Sequence, residues 1–359
     1  MRDIAAGIAI GTAGGLLCWL AGIPAPWLAG SMIAGVVAIF SGVTLGMPAW
    51  LRALSFIFLG IQTGTSVTWA TVDRAAHWPL SIAFLGLTVM AVTWACTWYY
   101  VRRSKWDAAT ALFASLPGAL SLVLLLASAT RADMRRVTIA QCIRLFFLVA
   151  ALPAVIVWLS PPDAFHGGQL VIGNVTDIAI VIAVSVAAGY GLEWLRVPAG
   201  LMLGPMLASA ALELSGVIAG AAPNSVLIPA NIVLGVMIAS RFAGFTFTEF
   251  RETLREGFTG FLIALAIAMA GAGLASAVAG LPFALTLLAF SPGGLDAMTI
   301  IAFALNLDPA YVGAHQMARY LGLALLMPMV TAYVLVRLGV VAGHGNVTSG
   351  QRSARLEDS

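Results

Sequence analysis

Arg144 and Arg319 each lie about ten residues into an apolar run of the 359-residue chain, and a glutamine precedes each by three positions, Gln141 and Gln316. Residues three apart share a helical face, so each pair would turn an amide and a guanidinium to one side. At about 1.5 Å per residue both arginines fall near the middle of a membrane-crossing helix. An arginine there costs about 2.5–3.5 kcal/mol on insertion scales. Two such burials at matching positions need a cause. They either bind an anionic solute or hydrogen-bond the free carbonyls of an interrupted helix, and the residue types allow both.

Two Pro-Gly breaks supply interrupted backbone: Leu116-Pro117-Gly118 and Ser291-Pro292-Gly293-Gly294. A helix restarting after each would present unbonded N–H groups, which favour anions. The candidate substrate-binding residues are therefore Arg144, Arg319, Gln141, Gln316, Pro117, Gly118, Ser291, Gly293 and Gly294. Two further residues are candidates for ion coupling. Asp296 stands where the first half has Ser121; it would bind Na⁺ or a proton, or satisfy a helix N-terminus. His315, four residues before Arg319 and without a counterpart in the first half, would carry a proton or serve as a hydrogen-bonding packing residue.

The elements that hold these residues follow from an internal repeat. Shifting the chain by 175 positions lays Pro117-Gly118 over Pro292-Gly293, Asp133 over Asp308, Gln141 over Gln316, Arg144 over Arg319 and Pro153 over Pro328. Rare polar residues do not coincide this way by chance, so the chain is a duplication. Residues 1–160 form the first membrane repeat, 161–176 an external linker, 177–340 the second repeat and 341–359 a disordered cytoplasmic tail. Asp133 and Asp308 read as N-caps. The stretches Pro24-Ala25-Pro26 and Pro198-Ala199-Gly200 read as tight reversals. Gly60, Gly64 and Gly235 read as sites of close helix approach.

Each half holds five apolar runs able to cross a bilayer: 4–23, 27–45, 53–69, 78–101 and 137–159, then 178–195, 201–217, 226–239, 258–278 and 309–335. The Pro-Gly segments 106–129 and 281–305 remain. Arg102, Arg103 and Lys105 precede the first of these, and Arg131, Arg135 and Arg136 follow it. A re-entrant hairpin keeps both clusters on one side, as the positive-inside rule requires. Five crossings per half is odd, so the second half is inverted and its hairpin enters from the other face. The expected fold is an all-α polytopic membrane protein: two inverted repeats, about 10 transmembrane helices and two re-entrant helical hairpins, with both termini cytoplasmic. A competing topology lets each interrupted segment cross and keeps one short helix of each half from crossing.

With 61% hydrophobic and 9% charged residues, too little polar surface exists to cover a water-soluble globule. The formal charge of +3 is small and no basic block occurs, so nothing points to direct nucleic-acid binding. Cys18, Cys96 and Cys142 lie singly in apolar runs, and the four histidines are scattered. Neither pattern suggests a metal centre, a disulfide or a cofactor.

Residues 24–32, the Pro-Gly hairpins and the Gln-x-x-Arg pairs together resemble the AbrB family of bacterial membrane proteins, whose members typically carry a duplicated domain. The likeness covers nearly the whole chain. Family proteins are labelled either regulators of aidB expression or ammonia monooxygenases. The resemblance therefore implies a bacterial inner-membrane protein, and neither label follows from the residues. An oxygenase would need converging metal ligands, and a transcription factor would need a soluble DNA-binding module.

The sequence reading is a secondary transporter of a small solute, an organic anion, coupled to H⁺ or Na⁺. The alternative is a membrane-embedded sensor acting indirectly on gene expression. An enzyme is not expected. The partners expected are the solute and the lipid bilayer, with a homodimer left open.

Overall fold

The computed structural model describes residues 2–75, 78–118, 120–128, 130–159, 175–197, 199–216, 224–305 and 307–337. Residues 161–174 of the expected linker and the tail from 341 onward lie outside the described residues, as do His77, His166 and His344.

All the regular structure among the described residues is helical. The first half contains α1 (Arg2–Leu20), α2 (Pro26–Phe40), α3 (Ala49–Gly64), α4 (Trp69–Ala75), α5 (Trp78–Arg102), α6 (Ala108–Ser115), α7 (Leu120–Ser128) and α8 (Met134–Leu159). The second half contains α9 (Val175–Trp194), α10 (Gly200–Leu214), α11 (Asn224–Ser240), α12 (Phe247–Ala279), α13 (Phe283–Phe290), α14 (Leu295–Ala304) and α15 (Pro309–Arg337). Five of these, α1, α5, α8, α9 and α12, are long and apolar enough to cross a membrane by themselves, and α2, α10 and α11 are shorter and apolar. Large apolar side chains such as Trp94, Trp158, Trp194 and Leu325 lie exposed, as expected when lipid is the solvent.

Local chemistry sets the ends. Asp107 caps α6 by accepting from Thr110 N at 2.9 Å. Asp133 accepts from Arg135 N and Arg136 N at 3.0 and 3.1 Å, and Asp308 from Ala310 N and Tyr311 N at 3.0 and 3.2 Å. Both aspartates are thus the N-caps their spacing predicts. The expected span 258–278 is only part of α12, which begins at a Thr246–Glu249 capping box. Its charged first turns continue the helix beyond the hydrocarbon, since 33 residues reach about 50 Å. The short α4 was not expected; it follows the expected span 53–69, which ends sooner, at Gly64.

Contacts between helices fix their directions. Thr88 lies against Gly271 and Tyr100 against Gly260, so α5 and α12 are antiparallel. Ile143 packs on Gly257 and Arg135 pairs with Glu249, so α8 and α12 run parallel. Ser81 meets His315 and Trp78 meets Tyr311, so α5 and α15 run parallel. Among the paired helices, α2 and α11 are parallel through Ser31 and Gly235, and α3 and α10 through Gly60 and Met202, with Gly64 against Met206. A Cβ at Gly60, Gly64 or Gly235 would strike a backbone carbonyl of the facing helix, which is the close approach expected of these glycines. The long helices of the first half therefore run opposite to their counterparts in the second, and the repeats are inverted.

Neither interrupted segment crosses. Asp133 N, at the start of α8, donates to Thr110 Oγ1 in the first turn of α6 at 2.7 Å. Trp106 just before α6 stacks on Tyr100 and lies 5.9 Å under the Arg136 guanidinium. The chain thus enters and leaves the α6–α7 hairpin on one face. The α13–α14 hairpin begins where α12 ends, with Ser276 Oγ donating to Leu281 O at 2.6 Å. It leaves at the start of α15, beside Trp78 on the opposite face. The competing crossing topology is excluded for both.

Helices α1–α3 pack with α9–α11 in one bundle, and α5–α8 with α12–α15 in another; α2 meets α8, and α3 meets α14 and α15, at the seam. The basic side of the molecule is where α5 and α11 end and α8 and α12 begin. Every described Lys and Arg lies on that side, apart from Arg144, Arg319 and Arg74.

Candidate functional site

The hairpin tips approach each other from opposite faces. Around them is a cavity of about 560 Å³ lined by Pro117 and Gly118 of one tip, Pro292, Gly293 and Gly294 of the other, and Gln141, Arg144, Gln316 and Arg319. Arg144 and Arg319 are each the eleventh residue of their helices, counted from opposite faces, so both reach mid-depth at about 15 Å.

Each arginine ties down the hairpin of its own half. Arg144 Nη2 donates to Leu116 O at 3.0 Å and Gln141 Nε2 to Phe113 O at 3.0 Å. These carbonyls lie at the C-terminal end of α6, where the Pro-Gly break removes the intrahelical donors. In the second half Arg319 Nη1 donates to Ser291 O at 2.7 Å, and its Nη2 donates to Gly293 O and to Gln316 Oε1. Gln316 Nε2 lies within reach of Ala289 O at 3.1 Å and Ser291 O at 3.3 Å. The backbone-tethering reading of the two arginines is therefore realised, and the two glutamines tether the same carbonyl ends. They also line the cavity, so the two sequence readings are compatible.

The restarting helices aim at the same space. Gly294, the N-cap of α14, has extended backbone and no side-chain cap. The first N–H groups of α14 therefore stand without an intrahelical partner beside the cavity. Leu120 at the start of α7 also lines it, so two helix N-termini, two guanidiniums and a low-dielectric wall converge.

Not every candidate lies in the cavity. Ser291 is fully buried and its Oγ donates to Leu287 O at 2.7 Å; it contributes its carbonyl to Arg319 and does not line the space. Asp296 belongs to the first turn of α14, and its side chain lies outside the described ones. His315 also stays out of the cavity lining. Its Nδ1 donates to Tyr311 O at 2.8 Å, and its Nε2 pairs with Ser81 Oγ of α5 at 2.7 Å, under the rings of Tyr311 and Trp78. The four-residue spacing from Arg319 did not bring its ring to the cavity, because α5 crosses α15 one turn before the tips. Among the described residues no group of three or more metal-ligating side chains occurs.

One charged lining residue was not a site candidate in the sequence, and one residue of an expected reversal also reaches the cavity. Arg241, just after α11, faces the cavity, and its carbonyl lies 3.9 Å from Cys142 Sγ, level with the Gln141–Arg144 turn. Its only sequence signal was that its counterpart at −175 is Ser66. Ala199 also lines the cavity. It holds a left-handed backbone, φ 56°, as Ala25 does at φ 51° at the matching reversal. A non-glycine residue pays about 1–2 kcal/mol for that conformation, so the two reversals are held by their surroundings.

Against this geometry stand the relatives. The family model described as transition state regulatory protein AbrB matches residues 4–335. The chain belongs to the AbrB family. One AbrB-family relative is the "Putative regulator AbrB" of Escherichia coli (strain K12), 28% identical, with 87% of this chain and 90% of the relative covered. Another is the uncharacterized protein YhjN of Bacillus subtilis (strain 168), 24% identical, with 89% of this chain and 90% of the relative covered. The AbrB-family match spans both repeats, so the cavity between the hairpins lies wholly within the family's region.

Proposed function

We propose that the protein is a secondary transporter of a small organic anion, coupled to H⁺ or Na⁺. It would act in a bacterial inner membrane with both termini cytoplasmic. The observation that carries the reading is the meeting of two hairpin tips, inserted from opposite faces, at a cavity holding Arg144 and Arg319. Broken backbone at membrane depth is tolerated where it encloses a solute path, and inverted repeats with such breaks are the plan of many secondary transporters. The concentration of Lys and Arg on one side supports a cytoplasmic assignment of that side.

In this reading the helix N-termini and arginine donors attract the anion, and the Pro-Gly turns let backbone approach it. Arg144 and Arg319 hold the tips at the same time. His315 would carry a coupling proton outside the cavity, through its Ser81 bond. Asp296 is the alternative ion site. The protein is proposed to be no enzyme and to bind no nucleic acid itself; a homodimer is compatible with its exposed apolar helices.

A second reading rests on the name of the Escherichia coli relative: a ligand-binding membrane regulator that moves nothing. Purified protein reconstituted in liposomes separates them. Transport predicts counterflow of a labelled anion that also raises the thermal stability of the wild type, with both effects weakened in Arg144→Gln. Stabilisation without flux would favour the regulator. Orientation has its own test in cells: cysteines placed at Arg131 and Ala279 should be labelled from the cytoplasm and from outside respectively, and reversed labelling at either site would discard the assignment.

A further inference from the structure

We infer that the cavity is built for a dianion rather than a monoanion, and that Arg241 is the residue that sets this preference. The inference rests on the anion-transport reading above and specifies its substrate class. Three arginines line one cavity of about 560 Å³, and no described Asp or Glu side chain lines it. Asp296, whose neighbours Leu295 and Ala297 both line the cavity, would at most cancel one charge. Two or three positive charges therefore remain. Arg144 and Arg319 are buried and Arg241 is half-buried; like charges sharing one cavity repel, and a dianion is the smallest ligand that neutralises two of them. A volume of this size suits a small organic molecule.

Arg241 differs from the other two arginines. Arg144 and Arg319 occupy equivalent places in the two repeats and spend donors on their own hairpins. Arg241 breaks the symmetry, standing where the first half has Ser66. Its carbonyl is the acceptor for Cys142, but its guanidinium has no protein acceptor among the described residues. It has no hairpin to hold. Apart from Gln141, Gln316 and Tyr320, the other side chains on the walls, among them Leu120, Leu124, Leu145 and Ile238, are apolar; they suit a short hydrocarbon spacer between two anionic ends. One end would sit at the tips between Arg144 and Arg319, the other at Arg241 on the basic side.

The test uses the purified full-length protein in detergent and measures dissociation constants by calorimetry. The probes are malonate, succinate and glutarate, their monoamides, and inorganic phosphate. At least one dicarboxylate should bind about tenfold or more tightly than its monoamide, a difference of about 1.4 kcal/mol. Arg241→Gln should abolish that ratio by weakening the dicarboxylate more than its monoamide, and Arg241→Lys should restore part of it. Equal binding of dicarboxylate and monoamide by the wild type, or an unchanged ratio in Arg241→Gln, overturns the inference but leaves anion binding intact. Absence of binding by any probe overturns both it and the anion reading. A binding loss in Arg144→Gln that falls equally on both ligand classes would support the division of roles.

Discussion

Among the described residues, Arg319 donates to two tip carbonyls and to Gln316, whereas Arg144, its counterpart in the first repeat, donates to one carbonyl. Gln316 likewise lies among several carbonyls of α13 and its tip, and Gln141 reaches one. The same Gln-x-x-Arg pair on the same helix of two inverted repeats thus fastens one hairpin firmly and the other lightly. Duplication supplied a symmetric scaffold, and divergence divided the work. The second tip is mostly anchored, while the first leaves more of its guanidinium available to a ligand. The pattern extends outward: His315 bridges α15 to Ser81 of α5, and the matching positions in the other half are Ala140 and Glu256.

The comparison can be broken most directly at Arg319. Arg319→Gln should lower stability by about 3–6 kcal/mol, because two buried carbonyls lose charge-assisted bonds of about 1.5–3 kcal/mol each. Arg144→Gln should cost about half as much, about 1.5–3 kcal/mol, for its single carbonyl. Thermal unfolding of both variants in detergent measures the difference, and equal losses would end the claim of unequal fastening. Ligand affinity should rank in the reverse order, with Arg144→Gln the weaker binder relative to its own stability.

Smaller effects sharpen the picture. His315→Phe keeps an aromatic ring but removes the side-chain bonds to Tyr311 O and Ser81 Oγ; Ser81 still donates to Trp78 O, so losing two bonds of about 0.5–1.5 kcal/mol net each should cost about 1–3 kcal/mol. If flux in that variant also loses its dependence on a proton gradient, His315 is the coupling residue; unchanged dependence assigns coupling elsewhere. The smallest expected loss is about 1 kcal/mol for Asp107→Ala, which removes the α6 cap. Loss of that cap loosens only the lightly held hairpin, so it should change anion affinity more than it changes the melting temperature. A change confined to the melting temperature would argue that the first hairpin is as fixed as the second.

Much of the fold was legible because membrane proteins write their constraints plainly. Apolar runs, Pro-Gly breaks, N-capping aspartates and the one-sided Lys and Arg clusters each answer to a local requirement of backbone satisfaction or insertion. Repetition at 175 positions then made the tip residues, the Gln-x-x-Arg pairs and the inversion visible from residue types alone. Symmetry also misled: it directed attention to paired residues and passed over Arg241, whose significance is that it has no pair. Helical spacing placed His315 near Arg319 but could not show that α5 lies against that part of α15.

What the sequence determined by itself was therefore the covalent and local part: which segments are helical, where they break, which residues cap them and that two halves are related. Tertiary structure alone decided whether the hairpins return or cross, which carbonyls each arginine takes and which three cations share a cavity. The physical reason is that hydrogen bonding along a helix is settled within four residues. The free donors and carbonyls at a break have no such local partner, and only packing between distant segments assigns them one.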